Sequence, residues 1–189
     1  MKNRNLIAMA GTAVLLSACI PSVDPFYTDK DIVFDARLLG QWHEKEAEQP
    51  QVWEFDKAGD NAYKLTVTDK EGKRGEFKAH LFELKQERFL DLIPSDCDYA
   101  TNQADLVSFA MYPGHLLLHV AQLAPELKLA GCDYDWLQKY LEANPKALAH
   151  HDEDKHILLT ADTRALQRFV LKHLGEGELF GKSGVMVRK

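Results

Sequence analysis

Between Leu38 and Pro94 the chain switches between apolar and polar residues with a period of two. Tyr63, Leu65 and Val67 alternate with Lys64, Thr66 and Thr68. Phe77, Ala79 and Leu81 alternate the same way, and Trp53 and Phe55 share one side of the run from Val52 to Asp56. A period of two places successive side chains on opposite faces of an extended strand, so each run has one face to bury. Leu39 to Glu44 opens the series, and Phe89 to Ile93, more fully apolar, ends it. The intervening stretches Lys57-Ala58-Gly59-Asp60, Asp69-Lys70-Glu71-Gly72 and Lys85-Gln86-Glu87 are short and polar, as antiparallel hairpins require.

Strands of this kind predict a mainly β (α+β) fold: an antiparallel meander, or a closed β-barrel that removes the exposed edges. After a loop over 94–106, further strands are expected at Val107 to Tyr112, His115 to Leu123 and Leu127 to Ala130. His115 and His119 share a strand face with Leu117 between them, which reads as a partly exposed outer face. The period then lengthens. Tyr134, Leu137, Tyr140 and Leu141 recur at helical spacing up to Asn144-Pro145. Thr163 to Leu174 is the second of two C-terminal helices, with Asp162 as N-cap, Leu166, Phe169, Val170 and Leu174 on one face and Gly175 as stop. His156 to Thr160 and Gly184 to Arg188 add late strands.

The amino-terminal end follows other rules. Lys2 and Arg4 precede an apolar run from Leu6 to Leu16, and Ser17 and Ala18 are small, so residues 1–18 read as an export signal. The run is too short to span a bilayer, which takes about 20 residues. Leu16-Ser17-Ala18-Cys19 resembles the lipobox of bacterial lipoprotein signal peptides. The resemblance implies cleavage before Cys19 and acylation (palmitate or a similar chain) of its thiol. With Ile20 in place of an aspartate, it also implies retention in the outer membrane, facing the periplasm. Two or more acyl chains hold a protein stably where one holds it marginally. Pro21, Pro25 and the polar residues around them read as an extended, acylated tether over 19–31, which leaves 32–189 as a single globular domain.

Gly40-Gln41-Trp42, in the first core strand, is similar to the Gly-x-Trp of the lipocalin-like (calycin) barrels. In that family the Trp closes the barrel floor beneath a basic residue from near the chain's end. Here the resemblance nominates Trp42 and Arg188, and it covers residues 38–130.

Composition narrows the function. Without residues 1–18 the chain holds 21 basic against 29 acidic residues, a formal balance of −8. That argues against nucleic acid, whose phosphates must be neutralised by Lys and Arg, and against a polybasic grip on lipid. With Cys19 used by lipid, Cys97 and Cys132 remain as a disulfide pair in an oxidising compartment, with two buried thiols or a metal pair as the alternatives. His150, His151, Asp154 and His156 are the densest set of metal-ligand types; they serve a metal if three meet at one point, and otherwise form a solvated loop between helix and strand. No Gly-x-Ser-x-Gly elbow is present, and Gly181-Lys182-Ser183 lacks the earlier glycine of a phosphate-binding loop, since position 176 is Glu176. The reading is therefore a non-enzymatic, lipid-anchored binding or interaction module with no cofactor. A lipocalin-like carrier of a small apolar ligand is the first alternative and a metal-assisted hydrolase the second.

Overall fold

The computed structural model describes residues 20–45, 47–95, 113–153, 156–174 and 178–189. Eleven strands form one sheet: β1 (Pro21–Ser22), β2 (Gly40–Glu44), β3 (Val52–Lys57), β4 (Tyr63–Thr68), β5 (Arg74–Leu84), β6 (Glu87–Pro94), β7 (His115–Gln122), β8 (Leu127–Gly131), β9 (His150–Glu153), β10 (His156–Leu159) and β11 (Gly184–Arg188). Eight of them close an antiparallel barrel in the order β6-β5-β4-β3-β2-β11-β8-β7, with β6 returning to β7. The fold is the mainly β closed barrel that the alternation predicts. The expected strand at Val107 to Tyr112 lies outside the described residues.

Local chemistry sets the turns. Gly59 and Gly72 adopt positive φ of 73° and 82°, where a side chain would be strained. Asp69 Oδ1 accepts from the amides of Glu71 and Lys73 at 2.8 and 2.9 Å, replacing the strand ladder across the β4–β5 turn. The β5–β6 hairpin instead takes positive φ at two ordinary residues, Lys85 and Gln86. They are the two central residues of the tight turn that closes the pair Leu84–Glu87, a geometry that takes positive φ at both.

Inward-facing residues make the first core. Trp42, Trp53, Phe55, Tyr63, Leu65, Leu81, Leu90, Leu118, Leu129 and Met186 belong to it, none more than 1% exposed. The outer face of β5, β6 and β7 makes the second, with Phe82, Phe89 and Leu117 beneath α1 (Tyr134–Ala143) and α2 (Thr163–Leu174). Asp133 caps α1 by accepting from the Trp136 amide at 2.9 Å, and Asp162 caps α2 by accepting from the Ala165 amide at 2.7 Å. Leu137, Leu141, Leu166, Phe169 and Val170 then face the wall.

Two expectations fail here. Residues 20–31 are not a tether: Ile20 and Phe26 are 3% exposed in the second core, and β1 runs parallel to β10 and antiparallel to β7. Prolines favour extended backbone, but the apolar wall decides whether that backbone is free or docked. His115 and His119 lie on the partly exposed outer face of β7, as expected, while Leu117 between them is 1% exposed beneath the second layer. Residues 150–153 are not a loop. They form β9, paired from His150 opposite Leu159 to Glu153 opposite His156.

Candidate functional site

The barrel floor is built on β2 and β11. Trp42 and Arg188 stand directly opposite each other in the antiparallel ladder, and the guanidinium carbon lies 4.6 Å from the indole centroid. Arg188 Nη2 also donates to the Arg37 carbonyl, and Trp42 Nε1 donates to the Leu38 carbonyl at 2.8 Å. Both acceptors belong to the 3-10 turn Ala36–Leu38, which is thereby tied across the base of the barrel. Asp35 starts that turn and takes Arg37 Nε and Nη2 on its two oxygens at 2.9 and 2.6 Å. Those hydrogen bonds, first of all, hold the Asp35 carboxyl below the usual carboxylate range. Gly40 sits at φ +104°, a conformation that side chains rarely adopt, while a Cβ there would meet Arg188 Nη1 only at 3.6 Å. Backbone strain, rather than space, requires the glycine.

A second polar cluster lies between the barrel wall and the amino-terminal segment. Asp91 is fully buried, yet it stands within the apolar run Phe89-Leu90-Asp91-Leu92-Ile93. A buried carboxylate is tolerated only with hydrogen-bonded partners, and among the described residues Asp91 has two. The Phe26 amide donates to Oδ2 at 3.0 Å, and His115 Nδ1 lies 2.6 Å from Oδ1. His80, directly opposite Asp91 on β5, is 7% exposed and has Nδ1 2.8 Å from the Tyr27 hydroxyl. Burial, and then the charge of Lys78, holds the His80 imidazole below its ordinary value of 6.5. Burial, followed by the negative charges of Asp91 and Asp29, pushes Tyr27 up to about 12. The cluster therefore latches residues 26 and 27 to the wall through the side chains of Asp91 and His80.

Ser22 stands opposite His115, so the types of a Ser-His-Asp triad meet here. Ser22 is fully buried, however, and its Oγ has no hydrogen-bond partner among the described residues. A nucleophile needs both its base and a path for substrate, and Ser22 has neither. The arrangement is a clasp. Sequence reasoning missed it, although Asp91 within Phe89–Ile93 and His80 within Ala79–Phe82, each a polar residue in an apolar stretch, were visible signals.

The candidate metal ligands do not converge. Among the described residues no group of three His, Cys, Asp or Glu side chains is placed to hold an ion. His150 Nδ1 donates to the Leu148 carbonyl at 2.8 Å, and His151 Nε2 lies 3.3 Å from Glu153 Oε2 on an exposed stretch. Strand alternation sends His150 and His151 to opposite faces of β9. His156 stands opposite Glu153, and Asp154 lies outside the described residues, as do Cys19 and Cys97. Cys132 is buried, 7% exposed, bridging to Phe180 through its backbone. No family model matches the chain, and no curated protein or solved structure is significantly similar to it.

Proposed function

We propose that the chain is a lipid-anchored protein of the bacterial outer membrane, facing the periplasm, whose barrel is a rigid, filled scaffold for non-enzymatic binding. The supporting observation is the barrel interior. An eight-stranded barrel has room for its own side chains or for one small ligand. Here Trp42, Trp53, Phe55 and Tyr63, four of the bulkiest side chains available, all point inward with at most 1% exposure. Such an interior is a core, which leaves the outer surface to meet partners.

The anchor rests on Leu16-Ser17-Ala18-Cys19. Cells grown with labelled palmitate are expected to yield a labelled, membrane-bound protein, with Cys19→Ala losing label and membrane retention together. A processed, unlabelled and freely soluble product would remove the anchor and leave only export.

One observation favours the carrier instead. Phe77 and Leu116, where β5 and β7 begin, pack against the interior but are only partly buried. A titration with a fluorescent fatty acid separates the readings. A filled scaffold gives no saturable quenching of tryptophan emission. One-to-one, saturable quenching by the fatty acid would make the protein a carrier of apolar ligands.

A further inference from the structure

The chain joins the sheet at Pro21, two residues after the cysteine that carries the proposed acyl chains. Ile20 is 3% exposed in the second core, Pro21 pairs with Leu116, and Ser22 pairs with both His115 and Leu159. The Val23 amide donates to the Leu159 carbonyl at 2.9 Å, and the Phe26 amide is held by Asp91. A free segment from 20 to 31 would reach roughly 40 Å in extended form. Docked in this way it provides no reach at all, so an acyl chain on Cys19 starts at the surface of the folded domain.

Register locates that surface. Pro21 stands opposite Leu116, which puts Ile20 one step from the pair Leu118–Gly131, where β8 leaves β7. Directly after that pair, Cys132 bridges to Phe180, and the Gly181 amide donates to the Gly131 carbonyl at 3.0 Å. Gly181, Lys182 and Ser183 are exposed there. Because β1 is parallel to β10, its start also lies towards the start of β10, where His156 is exposed. The sheet thus forks where the anchor enters, flanked by residues 181–183 on one side and the start of β10 on the other.

We propose that this fork is the face on which the domain rests against the phospholipid headgroups, with Lys182 as a phosphate contact. The proposal deepens the lipid-anchored reading and rests on it. An anchor with no spacer must bring its exit point to the headgroup layer. Within an acidic chain, Lys182 is an exposed cation at this fork that can meet lipid phosphate, beside the exposed Glu153 opposite His156. Lys57, in contrast, lies on β3, across the barrel from β7 and β8.

The test uses the full acylated chain in vesicles of phosphatidylethanolamine and phosphatidylglycerol, against soluble Cys19→Ala. A water-soluble amine-acylating reagent is applied to both, and lysine modification is mapped by mass. Lys182 is expected to react severalfold more slowly on vesicles, with Lys57 and Lys70 unchanged. A Gly-Ser spacer inserted between Cys19 and Ile20 should restore the Lys182 rate while the protein still floats with the vesicles. Acylated, vesicle-bound protein whose Lys182 reacts as fast as in the soluble variant would overturn the resting face and leave the anchor intact. A chain with no acyl mass on Cys19 that fails to float would overturn both.

Discussion

Trp42→Ala is expected to lower stability by about 3–5 kcal/mol, as other large core truncations do. The indole is fully buried, faces Trp53 and Arg188 across the two neighbouring strands, and holds the Leu38 carbonyl. Its removal empties the barrel base and frees one of the two ties on the 3-10 turn. Arg188→Ala should cost less, on the order of 1 kcal/mol, because the guanidinium is partly in water and its cation–π contact is weaker there. The two changes should not add. Once the indole is gone the guanidinium has no ring to cover, so a double-mutant cycle read by urea unfolding should show coupling. Strictly additive losses would mean that Arg188 acts only through the Arg37 carbonyl, and the resemblance of this floor to calycin barrels would then be one of position alone.

The second large effect is expected at Asp91. Asp91→Ala leaves the buried Phe26 amide and the half-buried His115 imidazole without their acceptor. Leaving a buried donor without its acceptor typically costs about 1–3 kcal/mol. Asp91→Asn should cost less, since its amide oxygen can still accept from Phe26. The damage should also be local: hydrogen exchange across residues 20–31 should speed up before that of the barrel strands, because Asp91 holds the Phe26 amide within this segment. Uniform acceleration over the whole barrel would refute a local latch.

The same clasp sets a pH window. His80 is held below 6.5 in the folded protein, so as the pH falls through 6.5 the unfolded chain takes up a proton that the folded one refuses. Stability contributed at this site is therefore lost on the acid side, down to the folded value. Tyr27 behaves in the opposite sense. Its folded value of about 12 against an ordinary 10.0 means that the unfolded chain ionises first as the pH rises through that interval, and stability is lost there. The latch should hold best between these limits. Exchange of the residue 20–31 amides, corrected for intrinsic rate, should be slowest in that window.

How much of this could be read from residues alone depends on the range of the forces involved. The barrel strands were legible because alternation in Tyr63–Thr68 or Phe77–Leu81 follows from the geometry of an extended chain, which needs no distant partner. The caps Asp133 and Asp162 are equally local, since each oxygen reaches an amide three residues on. The nominated floor pair needed more. Trp42 and Arg188 are opposite only because β11, after both helices, returns between β2 and β8 to close the barrel. The amino-terminal segment shows where local reasoning stops. Its prolines and polar residues describe an extended chain equally well in solvent or in a sheet. Ile20 and Phe26 are buried because the wall of β5, β6 and β7 presents an apolar face and one buried carboxylate sixty-five positions from Phe26. β9 is the same case in reverse: His150–Glu153 has no apolar face, and its pairing with β10 alone makes it a strand. The sequence by itself determined the period, the turns and the caps, which are satisfied within a few residues. Only the tertiary structure decided which polar groups are buried and which extended segments are docked, because both depend on surfaces assembled from distant parts of the chain.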